Sequence, residues 1–199
     1  TELERRFSVS ITDDKIRAAT KVMNQERRLR RNLAELMKSD APPLTGRQLI
    51  TLKSSISGIP EDFAQYEKTL AMFGTKRLEA ASTFRKVRVL MTGTPMVHGA
   101  ERVLDIVEAH AGLVVCMESC SGVKPILDDV DITAPDPIRA LAERYYHLPC
   151  PVMTPNERRL ESLRALAKEY RAECVVEVIL QACLTYDVES FRIRRLCEE

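Results

Sequence analysis

The stretch VRVLM at residues 87–91, followed by the turn TGTP at residues 92–95, decides the fold. Its β-branched and apolar residues are typical of a short buried strand. Apolar residues then recur with the spacing of a helix through residues 100–107, and Gly112 is expected to end that helix. LVVCM at residues 113–117 predicts a second strand. Strands that alternate with helices indicate a parallel sheet with helices on both faces, so the sequence predicts an α/β fold.

The same alternation continues toward the C-terminus. Asp136 followed by proline predicts the start of a helix that reaches about residue 146. Thr154, with proline next and Glu157 three residues later, predicts a capping box and a helix to about residue 171. The run CVVEVIL at residues 174–180 predicts a third strand, and Asp187 is expected to cap a final helix over residues 188–197.

The N-terminal part of the chain has a helical pattern. Apolar residues at steps of three and four predict one long helix over residues 13–38, with Thr12 as its N-cap. Shorter helices are expected at about residues 46–56 and 60–80. On that long helix, four arginines form a basic group: Arg27, Arg28, Arg30 and Arg31. This group is either a solvated helix face or a contact for an anionic ligand or acidic partner.

Charge divides the chain at the same place as the structural pattern. Residues 1–86 hold 17 basic and 11 acidic side chains, whereas residues 87–199 hold 13 and 18. We therefore predict a helical segment over residues 1–86 and an α/β lobe over residues 87–199. The net charge of +1 argues against a nucleic-acid-binding protein.

Hydropathy and cysteine usage predict a cytoplasmic protein. No apolar run approaches the roughly 18 residues of a membrane span, and the charged N-terminal residues are not typical of a signal peptide. All six cysteines lie after residue 87. Cys116 and Cys174 fall within predicted strands, so we expect them to be buried and the chain to have no disulfide.

Ligands of an open parallel sheet bind beyond the carboxyl ends of its strands. Three loops follow the predicted strands, namely TGTPM at residues 92–96, ESCSG at 118–122 and QACLTY at 181–186. We expect them to form one cleft, lined by Thr92, Gly93, Glu118, Cys120 and Cys183. The alternative interpretation is that these thiols are ordinary core or loop cysteines.

Cys183 is the stronger candidate for chemistry among these cysteines. It lies just before the predicted helix start at Asp187, where the helix dipole favours a thiolate, the form that binds iron–sulfur clusters. It has no CxxC partner, and the spacing of Cys116 and Cys120 matches no common zinc pattern. His98, at a predicted helix start facing the same loops, is a further candidate.

In combination these loops resemble a known family. The resemblance rests on five segments in the same order: RVLMTGTPM from Arg88, GLVVCMESCSG from Gly112, DPIRALAERY from Asp136, PCPVMTPNERR from Pro149 and LQACLTYDVES from Leu180. They resemble the 2-hydroxyacyl-CoA dehydratase and benzoyl-CoA reductase family, and most closely the D-component of 2-hydroxyglutaryl-CoA dehydratase. The segment at residues 12–60 is similar to the family's preceding helical part, more weakly.

The resemblance implies a fold and a cofactor. It implies a helical segment followed by a Rossmann-like three-layer lobe with a short parallel sheet, as a fragment of a larger two-lobed subunit. Such subunits hold a [4Fe-4S] cluster between their lobes on three cysteines, and Cys183 matches the third. Because the first two would lie outside these 199 residues, this chain alone is expected to bind no stable cluster and to be inactive.

The resemblance also implies a reaction and partners. An ATP-dependent activator protein delivers one electron at low potential, the cluster passes it to the thioester carbonyl of an acyl-CoA substrate, and the resulting ketyl radical expels the 2-hydroxyl group. A homologous second subunit completes the enzyme, a dehydratase-like lyase, with no nucleic acid or membrane involved. At Leu184 many members have histidine. The alternative interpretation is therefore a diverged non-catalytic subunit or interaction module with the same fold.

Overall fold

The computed structural model describes residues 1–53, 57–74, 85–96, 99–153 and 155–198. In chain order, the helices and strands of these residues are α1 (Glu2–Phe7), α2 (Asp13–Glu35), α3 (Gly46–Thr51), α4 (Pro60–Phe73), β1 (Val87–Gly93), α5 (Arg102–Ala109), β2 (Gly112–Glu118), α6 (Pro137–Tyr146), α7 (Glu157–Glu169), β3 (Cys174–Val178) and α8 (Leu184–Glu198). Single 3₁₀ turns occur at Leu36–Lys38 and Lys124–Ile126. The predicted α/β class is confirmed.

The three strands form one parallel sheet with the order β2-β1-β3. β1 is central, so the carboxyl ends of all three strands meet at one edge. There Thr92 pairs with Glu118 on one side and with Glu177 on the other, and Gly93 pairs with Val178. The sheet therefore delivers the ends of the strands to one place, as parallel topology requires.

Helices cover both faces of the sheet, as predicted. On one face a core joins the sheet to α2, α7 and α8, including Ala34, Leu90, Cys116, Leu163 and Ile193. On the other face α5 packs on the sheet through a smaller core, made of Val89, Met91, Leu104, Val114 and Met117. The burial of these apolar side chains is the main source of stability for the layered arrangement.

Two helices begin where the sequence predicts. The side-chain oxygen of Thr12 accepts a hydrogen bond from the backbone N–H of Lys15 (3.4 Å) and caps α2, which ends in the 3₁₀ turn at Leu36–Lys38. Asp136 caps α6 in the same way by accepting from the N–H of Arg139 (2.9 Å). Short polar side chains at these positions satisfy N–H groups that have no partner within the helix.

Two other helices begin elsewhere than predicted. α8 begins at Leu184 rather than after Asp187, and the N–H of Asp187 donates to the carbonyl oxygen of Cys183 (3.1 Å) within the first turn. Asp187 is therefore a residue of the helix and not its cap. α7 begins at Glu157 after Asn156, two residues later than the predicted capping box places it.

Helix α1 was not predicted, although a capping box between Thr1 and Glu4 closes its first turn. α3 ends at Thr51 and α4 ends at Phe73, each before the predicted end. Residues 54–56 and 75–80, the last parts of the two helices predicted at 46–56 and 60–80, lie outside the described ranges. Thr154 of the predicted capping box and the candidate His98 also lie outside them.

The prediction of two buried strand cysteines is correct for one of them. Cys116 is 2% exposed and lies in the core, and burial raises the pKa of its thiol. Cys174 is exposed, which corrects the prediction. Cys174 is the first residue of β3, which lies at the edge of the described sheet and pairs there with β1 alone, through Val89. All six cysteines are free thiols.

Candidate functional site

Thr92 and Glu118 lie in direct contact at the carboxyl edge of the sheet. The hydroxyl of Thr92 donates to Oε2 of Glu118 over 2.5 Å, and both side chains are buried, at 2% and 0% exposure. Most buried polar side chains in proteins have a hydrogen-bond partner, and this contact supplies one for Thr92 and for Oε2 of Glu118. The contact joins the ends of β1 and β2.

Gly93 ends β1 against β3. Its φ of +111° is one that residues with a side chain rarely adopt, and a Cβ atom there would lie 2.1 Å from the carbonyl oxygen of Val178. The N–H of Thr94 donates to that same oxygen over 2.8 Å. Glycine is therefore needed at residue 93 for β1 and β3 to approach each other at the edge of the site.

The two candidate cysteines lie on the loops that follow β2 and β3. Cys120 is exposed in the turn after β2, and Cys183 is half-buried immediately before α8. Among the described residues, no hydrogen bond or ion pair joins the thiol of Cys183 to Thr92, Glu118 or Cys120. Thr92 and Glu118 are therefore in direct contact, whereas Cys183 lies in the loop immediately before α8.

Tyr186, in the first turn of α8, links the two loops. It is 6% exposed. Burial, and then the neighbouring Cys120 thiol and Glu118 carboxylate, raise the pKa of its phenol. The residue three positions after Cys183 therefore lies close to the end of β2, so the start of α8 borders the same edge of the sheet.

A network of buried charges occupies this edge, and sequence reasoning missed most of it. We call it the Arg159 network, and its members are Glu118, Lys124, Arg159, Glu177 and Glu189. Lys124 and Arg159 are 1% and 0% exposed, which is rare for cations unless they are paired. Nζ of Lys124 lies 3.0 Å from Oε1 of Glu118.

Arg159 is the centre of the network. Its Nε lies 3.7 Å from Glu118, its Nη1 lies 3.6 Å from Glu189, and its Nη2 lies 3.9 Å from Glu177. Nη2 also donates to the hydroxyl of Thr92 over 3.2 Å. One guanidinium therefore contacts the ends of all three strands and α8.

Polar and aromatic contacts close the network. The Tyr186 ring centroid lies 5.1 Å from Cζ of Arg159 and 5.7 Å from Nζ of Lys124, in the range of cation–π contacts. Asn156 donates to Glu189 over 3.1 Å and to the carbonyl oxygen of Cys150 over 2.9 Å. The loop before α7 is thereby tied to α8.

The network holds three carboxylates against two cations. Burial raises the pKa of the Glu177 carboxyl, Arg159 lowers it in part, and Glu118, Glu189 and Asp187 raise it further. Oε1 of Glu177 and Oε1 of Glu118 both have no hydrogen-bond partner among the described residues. Glu118 lies near both cations, whereas Glu177 is paired only with Arg159 among the described residues, at 3.9 Å. Glu177 is therefore the member whose negative charge the network holds least well.

Glu177→Gln is expected to stabilise the protein at neutral pH by on the order of 1 kcal/mol. A raised pKa in the folded state means that the neutral form folds more favourably. The stabilisation is therefore present when wild-type Glu177 is charged, and it disappears as the pH falls below the ordinary pKa of glutamate. Urea unfolding at pH 7 and at pH 4 measures this, with exposed Glu161→Gln on α7 as control. An equal effect at both pH values would contradict the assignment.

The arginines of α2 hold the loop after β2 in place. Arg30 donates to the carbonyl oxygen of Gly122 (3.2 Å), and Arg31 donates to that of Ile126 (2.6 Å) and to Asp129 (2.8 Å). Burial lowers the pKa of Arg30. The basic group is therefore not a solvated helix face. Arg30 and Arg31 are engaged in holding the loop after β2, so the group as a whole is not available to an anionic ligand.

Comparison with known proteins identifies the family. The family model described as 2-hydroxyglutaryl-CoA dehydratase, D-component, matches residues 1–199. The chain belongs to this family. It is also similar to the Escherichia coli (strain K12) protein named "Putative dehydratase subunit YjiM", with 34% identity over 196 residues. That match covers 97% of this chain and 51% of the relative, so the chain spans about half of the relative's length.

Two further findings concern membrane-spanning helices and groups of potential metal ligands. Within the part that the structure describes, each helix is either too short or too polar to cross a membrane. The same residues contain no group of three or more histidine, cysteine, aspartate or glutamate side chains that could hold a metal ion.

Proposed function

We propose that this chain is part of a subunit of a [4Fe-4S] radical enzyme that removes water from a 2-hydroxyacyl-CoA or reduces an acyl-CoA thioester. The family match over the whole chain supports this proposal, as does the name of the similar dehydratase subunit. The intact protein would be a dehydratase-like lyase in the cytoplasm. It would work with a homologous second subunit and an ATP-dependent activator protein that supplies one electron.

Cys183 fits the requirements of one cluster ligand. Thiolates are the usual protein ligands of iron–sulfur clusters, and the thiol of Cys183 is half-buried at the positive end of the 15-residue helix α8. The described residues provide no complete ligand set, so the other ligands would come from outside them. When bound, such a cluster supplies one-electron chemistry at low potential.

The observation that carries the proposal is the meeting of three strand ends with the start of α8. Thr92 and Glu118 are in contact there, and the ring of Tyr186, in the first turn of α8, lies 5.1 Å from the guanidinium carbon of Arg159, which pairs with Glu118. This is where open parallel sheets bind their ligands. In our proposal the exposed Cys120 lines the substrate cleft beside the ligand Cys183, and the buried Thr92, Gly93 and Glu118 form the floor beneath it.

The residues of the cleft would position and shield the acyl group. Glu118 accepts from Thr92 and faces Lys124 and Arg159, so its carboxylate is held in place rather than free to turn. The side chains of Lys124 and Glu118 are themselves shielded from solvent, at 2% and 0% exposure. Exclusion of water is what a reactive radical intermediate requires of its protein environment.

Turnover by the assembled enzyme tests this function. The intact subunit, its homologous partner and the activator would be mixed anaerobically with ATP, a reductant and 2-hydroxyglutaryl-CoA. The proposal predicts ATP-dependent formation of the enoyl-CoA product. An assembly that contains the cluster but converts neither this thioester nor other 2-hydroxyacyl or aromatic acyl-CoA substrates would contradict it.

The 199-residue chain alone is expected to bind no stable cluster. A single cysteine of the ligand set cannot hold four irons, and the described residues contain no group of three potential ligands. Anaerobic reconstitution with iron and sulfide, followed by desalting, measures this. A stoichiometric cluster that survives desalting would show that the ligand assignment is wrong.

A further inference from the structure

The start of α8 has few apolar anchors. Leu184, Val188 and Phe191 are 74%, 71% and 65% exposed, so one face of the helix packs on nothing in the described structure. Only three of its side chains are buried, namely Tyr186, Glu189 and Ile193. Ile193 belongs to the apolar core in the second half of the helix. The first half, next to Cys183, is therefore held by Tyr186 and Glu189.

Both of these anchors contact Arg159. Nη1 of Arg159 lies 3.6 Å from Glu189, and its Cζ lies 5.1 Å from the ring centroid of Tyr186. The other side of the same guanidinium contacts Thr92 and Glu118 at the ends of β1 and β2. Arg159 is thus the charged link between the sheet edge and the half of α8 that begins after Cys183.

Burial makes this link sensitive to substitution, although Nε and Nη1 of Arg159 make ion pairs without hydrogen bonds. Arg159 is 0% exposed, and a buried carboxylate that loses its cation keeps the cost of burial without the compensating attraction. Among the residues that the structure describes, removal of the guanidinium would leave Glu189 with its contact to Asn156 and would leave Glu177 with no cation within 4 Å. The Glu189 carboxylate would regain its hydration if the first turns of α8 moved outward into water.

We propose that Arg159 is the positioning residue that fixes Cys183 at the carboxyl edge of the sheet, through Tyr186 and Glu189 of α8. The functional meaning of this role rests on the proposed function, in which Cys183 is a cluster ligand. The positioning itself is a property of the protein without a cofactor. It can therefore be measured even if the intact protein holds no iron.

Alkylation of Cys183 by iodoacetamide, followed by peptide mass spectrometry, tests the proposal. Arg159→Met is expected to speed alkylation of Cys183 by about tenfold or more because the start of α8 opens locally. Cys197, at the other end of α8, is expected to react as in the wild type. Arg159→Lys keeps the charge but loses the fork of donors, so we expect a smaller increase of the same kind. Arg158→Met is the matched control, since Arg158 is an exposed neighbour whose ion pair to Asp128 spans 3.9 Å.

The outcomes separate the possible failures. Unchanged alkylation of Cys183 in both Arg159 variants would overturn the proposal, and so would an equal rise at Cys183 and Cys197, which indicates global loosening. If Arg159→Met does not fold, the Arg159→Lys variant decides by the same criteria. An intact subunit without iron would overturn the proposed function and leave the positioning role of Arg159 standing.

Discussion

Cys183→Ser in the intact subunit is expected to remove most of the iron and to abolish turnover while the fold persists. A serine hydroxyl is a poor substitute for a thiolate as an iron ligand. Cys183 is half-buried before α8 and belongs to neither apolar core, so its replacement leaves the packing of the sheet intact. Iron and sulfide assays measure the first effect, and circular dichroism measures the second.

Two other cysteines provide controls for this substitution. Cys150 is half-buried in the loop before α7, and Cys197 is exposed near the end of α8. Their serine variants are expected to retain iron content and turnover, since neither lies in the proposed ligand position. If Cys183→Ser retained the full iron content, the resemblance would inform the fold only and the ligand assignment would be wrong.

Gly93→Ala is expected to destabilise the protein by about 3–5 kcal/mol, a loss that unfolds many natural domains. The new Cβ would lie 2.1 Å from the backbone oxygen of Val178, which cannot move without separating β3 from β1. The φ of +111° adds backbone strain. Because α8 follows β3, the same substitution would also displace Cys183. Urea unfolding measures the loss of stability.

Gly99→Ala separates the two causes. Gly99 also has a positive φ, +93°, but a Cβ there would meet no atom of the described residues within 4 Å. Its substitution is therefore expected to cost about 1 kcal/mol from backbone strain alone. If both variants lost the same free energy of unfolding, the close approach of β1 to β3 would not be the reason that residue 93 must be glycine.

The layered architecture could be predicted because each strand has its own local signal. The β-branched runs VRVLM and CVVEV, with helical segments between strands, indicate a parallel sheet without reference to distant residues. The edge at which ligands bind follows from that topology alone. Thr92 and Glu118 could be placed at this edge for the same reason, and their side chains form a 2.5 Å hydrogen bond there, while their role in a site stays a prediction.

The Arg159 network could not be predicted in the same way. Arg159 lies in the segment NERR, where charged residues in a first helical turn are typical of a solvated surface. Its burial depends on contacts with β2 and α8, which are distant in sequence. The one available signal was an unexplained glutamate, Glu177, within the apolar run of β3.

Local rules also failed where two signals competed. Asp187 is a favoured capping residue, yet the helix begins three residues earlier because Tyr186 and Glu189 are buried by the Arg159 network. Cys174 lies in an apolar run but is exposed in β3, which lies at the edge of the described sheet. No local sequence pattern encodes the position of a strand within its sheet. Both errors arise from tertiary contacts rather than from propensity.

The proposed cluster is tested most directly by the iron and acid-labile sulfide content of the intact protein, purified without oxygen together with its partner subunit. We expect iron and sulfide in equal amounts, with the absorption of a [4Fe-4S] cluster that bleaches on reduction. Protein that is folded and assembled but contains neither iron nor sulfide would contradict it. That result would identify the chain as part of a diverged, non-catalytic member of the D-component family.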